Sequence, residues 1–123
     1  FRSRHMAESL FATGIPYLGR GVVDDHAQFN RELAEIMAVS AGVRRFGSAA
    51  LDLAYVAAGR YDGFWEHGLS SWDIAAGILL VREAGGFVSD FASRDRALQS
   101  GDVVAGNPSI HAELLKHLAK AKK

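Results

Sequence analysis

The sequence contains no cysteine. That absence excludes disulfide bonds, thiolate nucleophiles and cysteine-ligated zinc, so any chemistry must come from other side chains. Lysine and arginine together number 14, as do aspartate and glutamate, and the formal net charge is therefore zero. No excess of one sign points to nucleic acid or to an acidic membrane surface as a partner.

Long apolar runs are also missing. No run approaches the ~20 residues that a membrane-spanning helix needs, and no signal peptide is recognisable. We therefore expect a cytoplasmic protein without a membrane segment. With 123 residues, 49% of them hydrophobic, the chain is long enough to bury one core.

The first five residues, FRSRH, are basic, and a methionine follows them directly. We interpret residues 1–8 as a leader, a tag remnant or the cut edge of a longer polypeptide. Residues 9–123 are expected to form one α/β domain.

Short apolar segments alternate with amphipathic ones along this domain. Strands are predicted at 9–13, 43–46, 60–66, 87–91 and 102–106. Helices are predicted to start at a capping box over 25–28, at Gly47-Ser48, after Ser70 and at Asn107-Pro108. The residues 92–101 read as a polar loop. This alternation predicts a layered mixed sheet of about five strands with helices on both faces.

The apolar spacing also predicts which helix faces are buried. The first helix should bury Phe29, Leu33, Ile36 and Met37 and expose Arg31, Glu32 and Glu35. The last helix should bury Ile110, Leu114 and Leu118. The helix after Ser70 is apolar nearly all round, so we expect it between two layers, with a close backbone crossing at Gly77.

Asp73 is the central candidate residue. If Ser70 is the N-cap, Asp73 occupies the third helical position, where exposed N–H groups and the helix dipole favour a carboxylate. A capping box explains that placement without any chemistry. The residues alone leave both interpretations open.

A second candidate position is Gly47-Ser48, where N–H groups at a helix start directly after a strand suit an anion such as phosphate. Arg44 and Arg45 could add positive charge there. In layered α/β folds, ligands gather where strand ends meet helix starts, and Glu66 and Asp73 are expected at the same edge. This set suits a phosphate ester held with magnesium or manganese, with Glu66 accepting hydrogen bonds from substrate hydroxyls.

Two longer runs carry a family resemblance. The run WDIAAGILLVREAGG at 72–86 and the run GSAALDLAYVAAGR at 47–60, followed by DGFWE at 62–66, closely resemble the inositol monophosphatase family. The second run is similar to the bacterial members, including the extragenic suppressor proteins. The resemblance covers most of residues 9–119 and implies the C-terminal half of an αβαβα sugar-phosphatase fold.

The resemblance also implies roles for single residues. Asp73 matches an aspartate that binds a catalytic metal ion and touches the substrate, and Glu66 matches an acid that hydrogen-bonds an inositol hydroxyl. The backbone of Gly47, Ser48 and Ala49 would lie against the substrate, with the loop over 13–17 near the same cleft. Family members hydrolyse phosphomonoesters with metal-activated water and magnesium, with manganese possible; they are usually homodimers, and many are inhibited by lithium.

One departure from the family is large. The other metal ligands of the family lie in an N-terminal half, in a glutamate pair and an Asp-Pro-Ile-Asp-Gly-Thr motif. The only prolines here, Pro16 and Pro108, stand in other contexts. We therefore expect the chain alone to be inactive, and to form a homodimer or to associate with the missing half.

Two classes of function stay open. The first is a phosphomonoesterase acting on inositol phosphate, fructose bisphosphate, histidinol phosphate or phosphoadenosine phosphate, with inositol phosphate favoured by Glu66. The second is a non-catalytic role with RNA or the transcription machinery, as in extragenic suppressor relatives. Only Arg44, Arg45 and the terminal lysines favour the second, and the neutral charge does not strengthen it.

Overall fold

A computed structural model describes residues 5–14, 23–44 and 48–121. A short 3-10 helix at Met6–Glu8 precedes the regular elements. In chain order these are β1 Leu10–Thr13, α1 Val23–Val39, β2 Gly42–Arg44, α2 Ala49–Ala57, β3 Gly63–Glu66, α3 Ser71–Glu83, β4 Phe87–Ser89, α4 Ala97–Ser100, β5 Val103–Gly106 and α5 Pro108–Lys120. The predicted α/β class is confirmed.

The five strands form one mixed sheet in the order β2-β1-β3-β5-β4. Strands β2, β1 and β3 run parallel, whereas β5 runs antiparallel to both of its neighbours. The carboxyl ends of β1, β2 and β3 therefore share one edge of the sheet. That edge is where the loops into α2 and α3 begin.

Helices cover both faces of the sheet, as the sequence predicted. On one face, α2 and α3 pack against strand residues that include Ala12, Phe64 and Ala105. On the other face, α1 and α5 pack against Phe11, Trp65 and Val104. Because side chains alternate along a strand, Phe64 and Trp65 point to opposite faces.

Several predicted helix ends are confirmed. The side chain of Asn107 accepts a hydrogen bond from the Ile110 N–H at 2.9 Å, and Pro108 occupies the first turn. Ser48 caps α2 by accepting from the Leu51 N–H at 3.3 Å. Ser70 is the N-cap of α3, as expected, but its side chain makes no capping hydrogen bond.

Other boundaries differ from the prediction. Helix α1 begins at Val23, so the capping box expected at 25–28 is wrong because those residues already lie inside the helix. The segment read as a polar loop contains α4, one turn that ends at Gly101 in the left-handed conformation. Met6 is buried in the core, so ordered packing begins before residue 9.

Two predicted helix faces need correction. In α1, Met37 is exposed, whereas Glu32 is fully buried, although their spacing predicted the reverse. In α3, Ile74, Ile78 and Val81 are buried as expected. Leu79 and Leu80 on α3 are exposed, so within the described chain this helix is packed on one side only and not between two layers. The buried face predicted for α5 is confirmed.

The close crossing expected at Gly77 is also confirmed. A β-carbon at that position would lie 2.6 Å from Cβ and 2.8 Å from Cδ1 of Leu53 on α2. Glycine lets α2 and α3 pack closely.

Among the described residues, no helix has the length and apolar character that crossing a membrane requires.

Candidate active site

The carboxyl edge of the parallel strands carries the candidate site. Glu66 is the last residue of β3, and α3 begins five residues later at Ser71. Thr13 ends β1 beside it, and its Oγ1 donates a hydrogen bond to the Trp65 carbonyl at 2.7 Å. The sheet therefore brings the start of the 13–17 loop next to Glu66, and residues 15–17 lie outside the described part.

The side chain of Glu66 is half-buried and packs directly on Gly14. A β-carbon on Gly14 would overlap the Glu66 carboxylate, so only glycine leaves room for that side chain in its present position. Glu66 is two residues after Phe64 on β3, so its side chain points to the same face of the sheet, which α2 and α3 cover.

The start of α2 lies at the same edge, because α2 is the element that follows β2 in the chain. The Ser48 side chain and carbonyl accept from the N–H groups of Leu51 and Asp52. The N–H groups of Ala49 and Ala50 belong to the first turn, where helical N–H groups have no partner within the helix. Gly47 and Arg45, both named in the sequence prediction, lie outside the described residues.

Asp73 is the third residue of α3, the position predicted for it. Its backbone is described and its side chain is not. Helix α3 starts after β3, so this backbone position shares the strand edge with Glu66. The edge therefore gathers Gly14, Ser48, Glu66 and Asp73 from four separate segments.

Within the described part of the chain, no group of three or more histidine and carboxylate side chains could hold a metal ion. The described residues therefore do not fit a complete metal centre by themselves.

Sequence reasoning missed a buried polar network beside this edge. Glu32 on α1 accepts hydrogen bonds from Trp65 Nε1 at 3.2 Å and from Gln28 Nε2 at 3.1 Å. His67 Nε2 lies 2.8 Å from Glu32 Oε2, and the N–H of Gly68 donates to Asp102 Oδ1 at 3.0 Å. The spacing of α1 placed Glu32 towards solvent, and only its contacts more than thirty residues away explain its burial.

A second missed feature is Asp52 on α2. Its side chain is buried, and among the residues that the structure describes neither carboxylate oxygen has a hydrogen-bond partner. Burial raises the pKa of Asp52 to about 6. Burying a charged carboxylate without a partner costs free energy, so the charged form of Asp52 is expected to destabilise the described fold.

The fold and this strand edge define a layered α/β protein with a candidate phosphate-ester site. The chain matches the inositol monophosphatase family over residues 7–123 and belongs to that family.

Similar proteins carry two kinds of name. The chain is 58% identical over 115 residues to an inositol-1-monophosphatase of Mesorhizobium japonicum, covering 94% of this chain and 42% of that protein. It is 50% identical over 107 residues to the Nus factor SuhB of Pseudomonas aeruginosa, covering 87% of this chain and 39% of that protein.

A solved structure agrees with the fold. The extragenic suppressor protein suhB of Bartonella henselae superposes with a TM-score of 0.90 at 47% identity, covering 97% of this chain and 44% of that one. The chain thus spans about two fifths of the length of the curated relatives it matches.

Proposed function

We propose that this chain is the C-terminal part of a magnesium-dependent phosphomonoesterase that hydrolyses inositol monophosphate or a related sugar phosphate. The placement of Glu66 beside the starts of α2 and α3 supports this proposal best. The inositol-1-monophosphatase name of the Mesorhizobium japonicum relative points to the same substrate class.

Each segment of the edge would contribute one function. The carboxylate of Asp73 would be a metal ligand, since magnesium and manganese prefer carboxylate oxygens. The backbone of Gly47, Ser48 and Ala49 would lie against the phosphate, because a helix start offers N–H groups to an anion. Glu66 would accept a hydrogen bond from a ring hydroxyl and thereby orient the sugar.

Magnesium, when bound, supplies an activated water and neutralises phosphate charge. This chain's own contribution is then to hold and orient the ester, which places the phosphorus in line for attack. The remaining metal ligands would come from the N-terminal portion that the longer relatives possess.

The exposed face of α3 supports an association with that portion. Trp72 is 83% exposed, and Leu79 and Leu80 are 58% and 47% exposed. An apolar surface of this kind is typical of a contact with another polypeptide. A second copy of the chain is the other candidate for covering it, consistent with the homodimers expected for the family.

A reconstitution experiment tests the proposed function. The chain alone, supplied with magnesium and inositol 1-phosphate, should release no phosphate. The same chain fused behind the N-terminal portion of the Mesorhizobium japonicum relative, here called the joined protein, should release phosphate in a magnesium-dependent and lithium-sensitive way. Activity of the chain alone, or a folded joined protein inactive on inositol 1-phosphate, would contradict the proposal.

The contact between Gly14 and Glu66 gives a sharper prediction. In the joined protein, Gly14→Ala should displace the Glu66 carboxylate and raise KM for inositol 1-phosphate roughly tenfold. The value of kcat should change little, because this carboxylate is expected to bind the ground state and the transition state equally well. The stability cost should be small, since the displaced atoms form the end of a flexible side chain.

The control for this variant is Ala112→Gly, on the exposed surface of α5. Gly59→Ala is unsuitable as a control, because the φ of 79° at that position strains alanine. An unchanged KM in Gly14→Ala would show that Glu66 does not contact the substrate.

A second candidate function is a non-catalytic interaction role. Some relatives are named Nus factors, among them the Pseudomonas aeruginosa protein. The neutral composition adds no support for a nucleic-acid partner. A biological activity that survives loss of the Asp73 carboxylate would favour this second role.

A further inference from the structure

His67 is fixed between two carboxylates that come from different parts of the chain. Its Nε2 lies 2.8 Å from Glu32 Oε2, and its Nδ1 lies 3.5 Å from Asp102 Oδ1. The imidazole also stacks on Phe91, with ring centroids 4.0 Å apart and planes 19° from parallel. The ring is thus held on both edges and on one face.

The partner Glu32 makes this bridge energetically important. Its side chain is completely buried, and a buried carboxylate is stable only when it is paired and hydrogen-bonded. Trp65 and Gln28 supply neutral donors. Of the described side chains that hydrogen-bond Glu32, His67 is the one that can bring a positive charge.

The charge state of His67 follows from its surroundings. Burial of the ring acts to lower its pKa, but hydrogen bonds and charge interactions with Asp102 and Glu32 outweigh burial and raise the pKa to about 9. Glu32 faces the ring from α1 and Asp102 from the segment before β5, while Phe91 after β4 contributes no charge. Glu66 precedes His67 in the chain but does not face the ring. It alternates with Trp65 along β3 and therefore points to the other face of the sheet.

The bridge is one of several contacts that hold the segment 67–70 in place. Asp102 also accepts from the Gly68 N–H, and the Leu69 N–H donates to the Gly101 carbonyl at 2.8 Å. Residues 67–70 connect the end of β3 to the start of α3. The anchors therefore act on the stretch of chain that separates Glu66 from Asp73.

We propose that His67 is a positioning residue of the candidate site, which, bridged between Glu32 and Asp102, fixes the segment 67–70 and thereby the separation of Glu66 and Asp73. The structural bridge stands on geometry alone, and its consequence for substrate rests on the proposed function.

Nuclear magnetic resonance on the 123-residue chain tests the bridge directly. The ring of His67 should titrate with a midpoint near 9, and the Trp65 indole N–H should shift with the same midpoint because both groups contact Glu32. Asp102→Asn should lower that midpoint. At pH 7, His67→Gln should reduce hydrogen-exchange protection of the Gly68 and Leu69 amides about tenfold or more.

The matched control is His117→Gln. His117 Nδ1 lies 2.6 Å from Glu35 Oε2, so it also joins a histidine to a carboxylate of α1, but it lies on α5 away from segment 67–70. This variant should leave the Trp65 titration and the protection of Gly68 unchanged. A His67 midpoint below 7 or unchanged protection in His67→Gln would overturn the proposal. If the 123-residue chain gives no dispersed spectrum, the same measurements are made on the joined protein and judged by the same two outcomes.

Kinetics on the joined protein tests the consequence for the site. His67→Gln should raise KM for inositol 1-phosphate several-fold. The unmodified protein should show a rise in KM above about pH 9, where His67 loses its proton, and that rise should be absent from His67→Gln. Equal KM and pH profiles in both proteins would refute the positioning role. An inactive joined protein with the expected titration would refute the proposed function and leave the bridge established.

Discussion

The substitution Asp73→Asn is expected to lower kcat/KM for inositol 1-phosphate about a thousand-fold in the joined protein, which corresponds to about 4 kcal/mol of transition-state stabilisation. Asparagine has nearly the same shape as aspartate and fits the same position of α3, but it lacks the negative charge that a magnesium ligand supplies. The loss should therefore appear in activity and in magnesium affinity, with little effect on folding.

Asp95→Asn is the matched control for this variant. Asp95 lies between β4 and α4 and is exposed, and its carboxylate pairs with Arg82 of α3 at 2.6 Å. Exposed ion pairs contribute little free energy, so this variant should keep both activity and stability. The comparison therefore separates the position of the lost charge on α3 from the mere loss of one carboxylate.

The same pair of variants separates the two classes of function. A biological activity that depends on phosphate release should fail with Asp73→Asn and persist with Asp95→Asn. If both variants keep the biological activity while Asp73→Asn has lost phosphate release, the interaction role is favoured. Full phosphate release by Asp73→Asn would contradict the assignment of Asp73 as a metal ligand.

The predictions from sequence succeeded where a feature depends on neighbouring residues. The caps at Ser48 and Asn107 require only a side chain and an N–H three residues later. The buried face of α5 follows from helical spacing alone. The order of strands and helices was predicted by the same local patterns, which is why the fold class could be predicted.

The predictions failed where a residue's environment is set by distant parts of the chain. Glu32 sits on the polar face of α1, and its burial depends on Trp65 and His67, more than thirty residues away. The exposure of Leu79 and Leu80 has a different cause. An apolar stripe indicates a buried face, but none of the described elements covers these two side chains.

The candidate site shows the same division. Glu66 and Asp73 were predicted at one edge because both follow from the positions of β3 and α3. The close packing of Gly14 on the Glu66 carboxylate depends on the parallel pairing of β1 with β3, which no local pattern encodes. The roles of these residues stay predictions until the variants are measured.

The second large effect concerns stability, and it has the opposite sign to most substitutions in a core. Asp52→Asn is expected to stabilise the 123-residue chain by about 3 kcal/mol at pH 7.5. Burial raises the pKa of Asp52 from 3.8 to about 6, and each unit of pKa corresponds to about 1.4 kcal/mol. Asparagine removes the charge while filling the same space.

The pH dependence fixes the origin of this effect. Well below the ordinary pKa of 3.8, Asp52 is protonated in both the folded and the unfolded chain, so the two proteins should differ little in the free energy of unfolding. Between pH 4 and 6 the unfolded chain releases this proton more readily than the folded chain, and the folded state loses stability. The advantage of Asp52→Asn should grow across that window and stay constant above it, as measured by urea unfolding at several pH values.

Asp62→Asn provides the contrast, because Asp62 Oδ2 accepts a hydrogen bond from the Leu10 N–H at 2.8 Å. Replacing the charged acceptor by a neutral amide oxygen should weaken that bond and destabilise the chain by about 1 kcal/mol. If Asp52→Asn is also destabilising at pH 7.5, the carboxylate has a partner within the chain in solution. If it stabilises the chain but destabilises the joined protein, the N-terminal portion supplies a donor to Asp52, and the buried charge serves the association of the two portions.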